Sequence, residues 1–393
     1  MLADLLTQSF AVALVCSNCN QAYPLSSLQT YAPCCQQPLL VHYQENPPFH
    51  KEELAGREHT LWRYFEMLPV KNKSNIVSLG EGMTPILPLE NLGKISGQQA
   101  LFLKDESYNP TGSFKARGLS LAVSKAKELG IKRCIVPTAG NAGGALAAYC
   151  AKASMECVVV MPSHTPAVYK NECKLYGAKL ILVEGLINDC AKKVNEITTK
   201  EDYFDVSTLK EPYRLEGKKT MGYEIAEQLN WQLPDVVVYP AGGGTGLIGI
   251  WKGFQELLQM GWIKGPLPKM IAVQAENCAP LLAADMNPLK WKENFHPHSS
   301  LAGGLVVPFP FGLRLMQRVI HESDGAVQTV SEDEIREGIK EVAKTEGILL
   351  SPEGSATFKA LAHLKRKGII HNEDHILLLN TASGYKNPEL ALN

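Results

Sequence analysis

The stretch Lys104-Asp-Glu-Ser-Tyr-Asn-Pro-Thr-Gly-Ser-Phe-Lys-Ala-Arg-Gly118 places a lysine, Lys115, directly after a Pro-Thr-Gly turn. The apolar run Gly118-Leu-Ser-Leu-Ala-Val123 follows, so the pattern predicts a helix that begins near Lys115. A lysine can hold an aldehyde cofactor as a Schiff base when desolvation or a neighbouring cation leaves part of it deprotonated. On its own Lys115 is better explained as an ordinary solvated lysine, because helix N-termini disfavour cations, so a catalytic role depends on the other motifs.

The composition sets the class of protein. With 393 residues, 45% of them hydrophobic and 20% charged, the chain favours a globular protein of about two domains. Its 39 basic and 40 acidic residues nearly cancel and form no long basic run, which argues against nucleic acid and anionic membranes as partners. The start, Met1-Leu-Ala-Asp-Leu-Leu-Thr-Gln8, lacks the basic residues of a secretory signal, and no apolar run reaches membrane-spanning length. We therefore expect a cytoplasmic protein whose ten cysteines are mostly reduced.

Residues 1–60 have the pattern of a separate module that resembles a zinc ribbon. Cys16-Ser-Asn-Cys19 is a C-x-x-C knuckle, and Leu39-Leu-Val-His-Tyr43 alternates as a strand does. The second knuckle is damaged, because the position of its first cysteine is occupied by Ala32 and Cys34-Cys35 follows instead.

The damaged knuckle limits the predicted metal ligands. Adjacent cysteines rarely point at one metal, so we expect Cys16, Cys19 and Cys35 to be the thiolates and Cys34 to be out of place. His42 is a candidate fourth ligand, although a histidine in a strand is more often simply packed or exposed. The prediction is a small ribbon-shaped fold, with or without structural zinc.

From Lys115 onward, strands alternate with helices. We predict strands at 134–137, 157–161 and 180–183, separated by helices at 142–153 and 167–176. Continuous apolar strands separated by helices indicate an α/β fold with parallel sheet covered on both faces. Such sheets bind ligands at the carboxyl ends of their strands, where the next motifs fall.

Thr138-Ala-Gly-Asn-Ala-Gly-Gly144 follows the first of these strands. Thr138, Ala139 and Gly140 expose backbone N–H groups at a positive helix end, which suits a carboxylate. Asn141 can donate a hydrogen bond to a ring oxygen. A tight turn that merely needs glycine is the alternative, and the loop alone is weak support for a binding site.

Ala241-Gly-Gly-Gly-Thr-Gly246 is a second such loop, between a strand at 235–240 and a helix. Its glycines and the Thr245 hydroxyl form an anion nest, typical of a phosphate cup. Gly244, Gly246 and Gly249 also match G-x-G-x-x-G, but a dinucleotide site would need Glu276, which lies further on than the usual ~20 residues. The absence of a P-loop lysine excludes a nucleotide triphosphatase, and a close-packed glycine turn remains the structural alternative.

Two more segments complete the pattern. Glu211-Pro-Tyr-Arg-Leu-Glu-Gly-Lys-Lys-Thr220 precedes a predicted helix at 221–229, and its Arg214 could bind a second phosphate, unless the segment is a solvated basic turn. Helix starts are predicted after Ser331 and Ser351, and the last strand, Ile376-Leu-Leu-Leu-Asn380, runs into Thr381. A hydroxyl at that position could hydrogen-bond a pyridine nitrogen or simply end the strand.

Together these segments resemble the threonine synthase family of the fold-type II (tryptophan synthase β-like) pyridoxal phosphate enzymes. They are Pro110-Thr-Gly-Ser-Phe-Lys-Ala-Arg-Gly118, Ala139-Gly-Asn-Ala142, Pro212-Tyr-Arg-Leu-Glu-Gly-Lys-Lys-Thr220, Gly242-Gly-Gly-Thr-Gly246 and Thr381 to Lys386. The lysine, asparagine and glycine motifs are shared by all fold-type II enzymes and indicate cofactor and fold. The 212–220 segment and the ribbon point to threonine synthases.

The resemblance implies two doubly wound parallel-sheet domains behind the ribbon module of residues 1–60. Residues 61–112 and 205–393 would form a large domain that binds pyridoxal phosphate, and residues 113–204 a small domain that carries the Schiff-base lysine. The family also implies a homodimer.

The same resemblance assigns roles to single residues. Lys115 would be the Schiff-base lysine and proton shuttle, Asn141 would bond the ring O3′, and Thr381 would meet the pyridine nitrogen. The cofactor phosphate would be held by Gly242, Gly243, Gly244, Thr245 and Gly246. The substrate carboxylate would be bound by Thr138, Ala139 and Gly140, and the substrate phosphate by Arg214.

The implied reaction converts O-phospho-L-homoserine into L-threonine by γ-elimination of phosphate and addition of water at Cβ. Two departures from the family pattern bear on it: Ala116 stands where an acid is common, and Glu211 stands where many relatives carry asparagine and would repel a phosphate. The alternatives are another fold-type II enzyme, either a serine or threonine ammonia-lyase or a β-replacement enzyme acting on O-phosphoserine, and a dinucleotide-dependent or purely binding module.

Overall fold

The computed structural model describes residues 8–293 and 295–392, whose strands form three sheets. The strands are β1 Ala11–Cys16, β2 Ala22–Tyr23, β3 Leu39–Tyr43, β4 Ile86–Pro88, β5 Ala100–Asp105, β6 Arg133–Pro137, β7 Glu156–Pro162, β8 Lys179–Val183, β9 Phe204–Asp205, β10 Val236–Pro240, β11 Lys269–Ala275, β12 Ala326–Val330 and β13 His375–Asn380.

The α-helices separate most of these strands. They are α1 Glu90–Ser96, α2 Lys115–Glu128, α3 Asn141–Lys152, α4 Ala167–Leu175, α5 Ile187–Thr198, α6 Tyr213–Gln228, α7 Thr245–Gln259, α8 Pro280–Met286, α9 Leu313–Glu322, α10 Glu332–Glu346, α11 Pro352–Arg366 and α12 Glu389–Leu392. Within the described ranges, none of the helices combines the length and apolarity that crossing a bilayer requires.

The N-terminal sheet has the antiparallel order β2-β1-β3. Leu14 and Val41 are buried partners in its β1–β3 pairing, and β3 spans the predicted residues 39–43. The sheet packs on the rest of the chain, where the Tyr43 hydroxyl donates a 2.7 Å hydrogen bond to the Glu216 carboxylate of α6.

The two larger sheets confirm the α/β prediction. One has the order β12-β11-β10-β13-β5-β4, and the other has the order β8-β7-β6-β9. All neighbours in them are parallel except β4 and β5, which are antiparallel. The antiparallel strand, β4, lies at the edge of the sheet. Its Pro88 has no backbone N–H to donate, which an edge strand tolerates because it pairs on one side only. β10, buried along its whole length, is a typical strand of a sheet covered on both faces.

Helix α6 differs from the sequence prediction, because it begins at Tyr213 rather than at 221. The alternative of a solvated basic turn is therefore wrong, because the segment is part of a helix in which both Lys218 and Lys219 are fully buried. Lys219 is compensated by ion pairs of 2.8 Å with Glu216 and 2.9 Å with Glu256. Glu256 lies on a neighbouring helix, so the local sequence does not show this part of the compensation.

Helices α2 and α6 pack closely enough to bring Lys115 towards Arg214. A Cβ at Gly118 would lie 2.8 Å from the Arg214 carbonyl oxygen, so only glycine allows this approach. The same pair of helices is joined by the buried guanidinium of Arg117, which contacts Glu106 and Glu224 at 2.5 Å each. Although burial favours the neutral acid, Arg117 and Lys104 hold the pKa of Glu224 at about 2.

Candidate active site

Lys115 is the first residue of α2 and lies at the carboxyl end of the large sheet. Its side chain is partly accessible, and its amine is 4.5 Å from the centre of the Phe114 ring. Desolvation first, and the positive charge of Arg214 second, lower the pKa of the Lys115 amine to about 7, while Glu353 opposes this shift. A substantial fraction of the amine is therefore neutral near physiological pH, as a nucleophilic lysine requires.

The turn before Lys115 is bonded to the segment after β13. Phe114 donates its backbone N–H to the Thr381 carbonyl oxygen at 2.9 Å, and Ser113 forms an antiparallel bridge with Ala382. The structure thus brings Thr381 beside Lys115, although they are separated by more than 260 positions in the chain. This contact joins the lysine turn to the end of the central strand.

The Thr138 to Asn141 loop connects β6 to α3. The Thr138 hydroxyl accepts a 3.1 Å hydrogen bond from the Gly140 N–H, which fixes the loop, while Ala139 is exposed. Asn141 is the first residue of α3, and its buried side-chain oxygen has no hydrogen-bond partner among the described residues. Buried amides in proteins are nearly always bonded, so this orphaned group indicates a ligand partner.

Tyr169 of α4 covers this loop and links it to the C-terminal segment. Its ring lies 3.7 Å from the place where a Cβ of Gly140 would be. Its hydroxyl accepts a 2.8 Å hydrogen bond from Asn387, and the neighbouring Lys386 pairs with Glu172 at 2.9 Å. The loop from the four-stranded sheet and the segment from the six-stranded sheet therefore face one another.

The loop Gly242 to Gly246 follows β10 and leads into α7, which begins at Thr245. Gly244 has a φ of +79° and precedes the helix, a left-handed conformation that favours glycine. A Cβ at Gly242 would collide with the Gly304 carbonyl oxygen, and one at Gly246 would collide with the Tyr239 hydroxyl. The loop is therefore a backbone-lined cup at a helix N-terminus, as a phosphate site requires.

Arg214 lies beside this cup. It is 2% exposed and donates to the Val206 carbonyl oxygen at 2.6 Å and, weakly, to the Thr208 hydroxyl at 3.5 Å. The Thr208 methyl group would lie 3.0 Å from a Cβ at Gly243, so Thr208 contacts both the cup and the guanidinium. The helices that carry Arg214 and Lys115 are in contact through Gly118, and the charge of the guanidinium lowers the pKa of the Lys115 amine.

Glu211 lies against Arg214, as the sequence suggests, but its carboxylate is engaged by the start of α6. Its buried carboxylate accepts backbone hydrogen bonds from Tyr213 at 2.8 Å and from Arg214 at 3.1 Å, so it caps the first turn of α6. Burial raises its pKa to about 7, with Arg214 and these N–H groups acting in the opposite direction. The expected repulsion of a bound phosphate is therefore weaker than the sequence suggests, because the carboxylate is engaged by the helix and is partly protonated near neutral pH.

These residues fit pyridoxal phosphate. The glycine cup offers a phosphate site, and Lys115 offers an amine whose pKa is about 7. At the end of a neighbouring strand, the amide N–H of Asn141 can donate to a ring oxygen, and its Oδ1 is an acceptor that has no partner among the described residues. Thr381, directly hydrogen-bonded to the lysine turn, supplies a hydroxyl at the end of the central strand. All four lie after the carboxyl ends of β5, β6, β10 and β13, where open parallel sheets bind ligands.

Sequence reasoning missed three residues that help to form this site, Thr208, Tyr169 and Glu353. Thr208 and Tyr169 stand in segments without glycine loops, and their roles come from contacts with distant parts of the chain. Glu353 belongs to Ser351-Pro-Glu-Gly-Ser355, which the pattern explains fully as a helix start. The acidic side chain of Glu353 in the first turn of this helix was the one feature of the sequence that could have indicated a role in the site.

The four ribbon cysteines form a separate cluster. The sulfur atoms of Cys16, Cys19, Cys34 and Cys35 all lie within 4.8 Å of one another, and those of Cys19 and Cys34 are 3.5 Å apart. The expectation that Cys34 points away is therefore wrong, because the turn that carries Cys34 and Cys35 directs both sulfur atoms inward. His42 is exposed on β3 and is not a member of this cluster.

Comparison with known proteins agrees with this geometry. Residues 77–382 match the family model described as pyridoxal-phosphate dependent enzyme. The threonine synthase of Methanocaldococcus jannaschii is 34% identical over 380 residues, which cover 96% of this chain and 93% of that protein. The threonine synthase of Methanosarcina acetivorans is 31% identical over 97% of this chain and 93% of its own length.

Solved structures with the same fold include an O-ureido-L-serine synthase, with a TM-score of 0.64 and 23% identity over 78% of this chain and 90% of that chain. Maize serine racemase has a TM-score of 0.65 and 18% identity over the same shares. The similarity to these solved structures establishes the fold, and the similarity in sequence to threonine synthases establishes the family within that fold. The chain belongs to the threonine synthase family of pyridoxal-phosphate dependent enzymes.

Proposed function

We propose that this chain converts O-phospho-L-homoserine and water into L-threonine and phosphate. The position of Arg214 is the main support for this proposal. Arg214 is a buried cation that lies next to the glycine cup and lowers the pKa of the Lys115 amine. A site that holds only a cofactor phosphate needs one anion pocket, whereas a phosphorylated substrate needs a second one nearby. The threonine synthases of Methanocaldococcus jannaschii and Methanosarcina acetivorans each match nearly the whole chain.

The cofactor would be held by residues from four segments. Gly242, Gly243, Gly244, Thr245 and Gly246 would bind its phosphate, Asn141 its ring oxygen, Thr381 its ring nitrogen, and Lys115 its aldehyde carbon. When bound, pyridoxal phosphate withdraws electrons from the substrate and so acidifies the hydrogens on Cα and then Cβ. A neutral hydroxyl at the ring nitrogen leaves that nitrogen largely unprotonated.

The side chains of this protein would bind the substrate and move the protons. Arg214 would bind the phosphate on Cγ, and Thr138, Ala139 and Gly140 would bind the α-carboxylate through hydroxyl and backbone N–H groups. The Lys115 amine, with a pKa of about 7, would remove protons from Cα and Cβ and return them to Cγ and Cα. Phosphate leaves from Cγ, and water adds its hydroxyl to Cβ, so that the atoms balance as threonine plus phosphate.

The test is an incubation of the cofactor-loaded protein with O-phospho-L-homoserine, with free phosphate and threonine measured together. We expect the two products in equal amounts. If the protein binds the cofactor but forms neither product, the substrate assignment is wrong, and serine, threonine and O-phosphoserine become the next substrates to test.

We also propose that the four-cysteine cluster binds structural zinc. Zinc–sulfur bonds of about 2.3 Å in a tetrahedron separate the sulfur atoms by about 3.8 Å, close to the spacing of this cluster. Although burial raises it, the backbone N–H groups of Asn18 and Cys19 and the neighbouring thiols lower the pKa of Cys16 to about 7. Cys34 would thus join the predicted ligands Cys16, Cys19 and Cys35 and complete a closed set of four thiolates.

Two further proposals concern the surroundings of the enzyme. All ten cysteines are free of disulfide bonds, which supports a reducing compartment such as the cytoplasm.

The family resemblance supports a homodimer, and the exposed apolar side chains of Met286 and Leu289 are candidates for its contact surface. Sedimentation of the purified protein would test the dimer, which a monomer at micromolar concentration would contradict.

A further inference from the structure

Glu353 lies in the first turn of α11, a position for which the helix itself provides a sufficient reason. Ser351 caps this helix, Pro352 is its first residue, and an acid in the first turn favours the helix dipole. The side chain of Glu353, however, also reaches another segment. Its Oε1 accepts a 2.8 Å hydrogen bond from the backbone N–H of Gly304.

Gly304 forms one wall of the glycine cup. Its carbonyl oxygen occupies the space where a Cβ of Gly242 would stand, so the two backbones are in direct contact. A Cβ at Gly304 would itself lie 2.8 Å from Glu353 Oε1, which shows how closely the carboxylate covers this loop. Glu353 is thus hydrogen-bonded to Gly304, and Gly304 packs against the loop that we assign to the cofactor phosphate.

The carboxylate of Glu353 belongs to the same charged environment as the lysine. Desolvation and Arg214 lower the pKa of the Lys115 amine, and Glu353 opposes this shift. Burial first, and the charge of Glu353 second, raise the pKa of Tyr169 to about 12. The amines of Lys115 and Lys218 both lie near the Phe114 ring, and burial lowers the pKa of Lys218 well below its usual value. Among residues 8–293 and 295–392, the Glu353 side chain makes one hydrogen bond, the one from Gly304.

We propose that Glu353 is a positioning residue whose Oε1 holds the Gly304 backbone against the cofactor-phosphate cup. The inference rests on the proposed pyridoxal phosphate site but not on the identity of the substrate. Glutamine keeps an acceptor oxygen at residue 353, whereas alanine removes it. The pair of variants therefore separates loss of the hydrogen bond from loss of the charge.

The test measures pyridoxal phosphate binding by the full-length protein after the cofactor has been removed, with no substrate present. Glu353→Ala should weaken cofactor binding by about tenfold, because the hydrogen bond between a carboxylate and an N–H is lost next to the cup. Glu353→Gln should bind within about twofold of the wild type at a pH well above 7. Glu346→Gln is the matched control, since Glu346 also accepts one backbone N–H, from Leu92, far from the site.

Wild-type affinity for the cofactor in Glu353→Ala would overturn the inference. Thermal unfolding of the apoproteins would identify a variant that fails to fold. If Glu353→Ala fails to fold, Glu353→Gln decides, because affinity that falls well beyond twofold in this variant would contradict the role of the acceptor oxygen. Failure to form threonine would contradict the proposed reaction and leave these binding measurements unaffected.

Discussion

Lys115 and Asn141 show how single residues acquire a role from their surroundings. Lys115 is a lysine at the start of a helix, and its amine becomes partly neutral because desolvation and the charge of Arg214 lower its pKa. Asn141 is a helix-start asparagine whose side-chain oxygen is buried without a partner in the described structure. Both residues are recognised from local glycine patterns, but only their environment separates them from ordinary helix starts.

Lys115→Ala should abolish covalent capture of the cofactor and lower turnover by roughly 10²–10⁴-fold or more, because the variant lacks both the nucleophile and the proton carrier. Borohydride reduction followed by mass spectrometry is the direct measurement. The cofactor should be fixed to the peptide containing Lys115 in the wild type and to no peptide in the variant. Attachment at another lysine, Lys218 for example, would refute the assignment.

Asn141→Ala should affect the protein with and without cofactor differently. The apoprotein should keep its free energy of unfolding to within about 0.5 kcal/mol, because the amide has no hydrogen-bond partner among the described residues to lose. Cofactor binding should weaken about five- to tenfold, since one hydrogen bond contributes about 1 kcal/mol. Urea unfolding of the apoprotein and cofactor titration measure the two effects. A large loss of apoprotein stability would show that Asn141 is mainly structural.

At the scale of elements, α6 connects the site to the protein core. Glu211 caps its start, Arg214 of its first turn donates to the Val206 carbonyl oxygen, and Lys218 and Lys219 are buried in its middle. This helix pairs with α2 through Gly118, so the lysine and the arginine are held by two helices in direct contact. A rigid pair of helices can fix two charged groups more precisely than two loops can.

Glu211→Gln should change how stability depends on pH. Folding raises the pKa of this carboxyl from 4.5 to about 7, so its stabilising contribution is complete below about pH 4.5 and is lost as the pH rises through 7. Glutamine cannot ionise and still accepts the N–H groups of α6. Relative to the wild type, the variant should therefore gain stability, on the order of 1–3 kcal/mol, between pH 5 and pH 8. If the difference in unfolding free energy between the variant and the wild type did not change across that pH range, the raised pKa of Glu211 would be contradicted.

The sequence predicted elements well where the signal was local, and less well where distant contacts decide. The strand at 39–43 and the helix starts after Ser331 and Ser351 agree with the structure, since alternation and caps are encoded in neighbouring residues. The burial of Lys219 in α6 is compensated partly by Glu256, which lies on a neighbouring helix and outside any local window of sequence. The roles of Thr208 and Glu353 likewise depend on contacts between distant segments.

At the scale of the whole molecule, two sheets meet at the site and the ribbon packs elsewhere. Tyr43 bonds Glu216, Arg318 donates to the Ser17 carbonyl oxygen at 2.9 Å, and the rings of Tyr31 and Phe311 are 5.8 Å apart. The ribbon is therefore part of the folded body rather than a free appendage. The domain boundaries at residues 60, 112 and 204 stay predictions.

Metal analysis of the purified protein should find one zinc per chain. Cys34→Ser should lose the metal as completely as Cys16→Ser, because all four thiolates complete the tetrahedron, whereas His42→Ala should keep it. Removal of zinc by a chelator should lower the melting temperature without releasing the cofactor, because the two sites are separate. Full zinc retention in Cys34→Ser would restore the original expectation of three cysteine ligands.

In the proposed reaction, phosphate leaves from Cγ and water enters at Cβ. Turnover of O-phospho-L-homoserine by the cofactor-loaded protein in water labelled with heavy oxygen, with both products analysed by mass spectrometry, shows which bond breaks. We predict one heavy oxygen in the hydroxyl group of threonine and none in the released phosphate, because the carbon–oxygen bond breaks. Heavy oxygen in the phosphate, together with homoserine instead of threonine, would mean simple hydrolysis and would contradict elimination followed by addition of water.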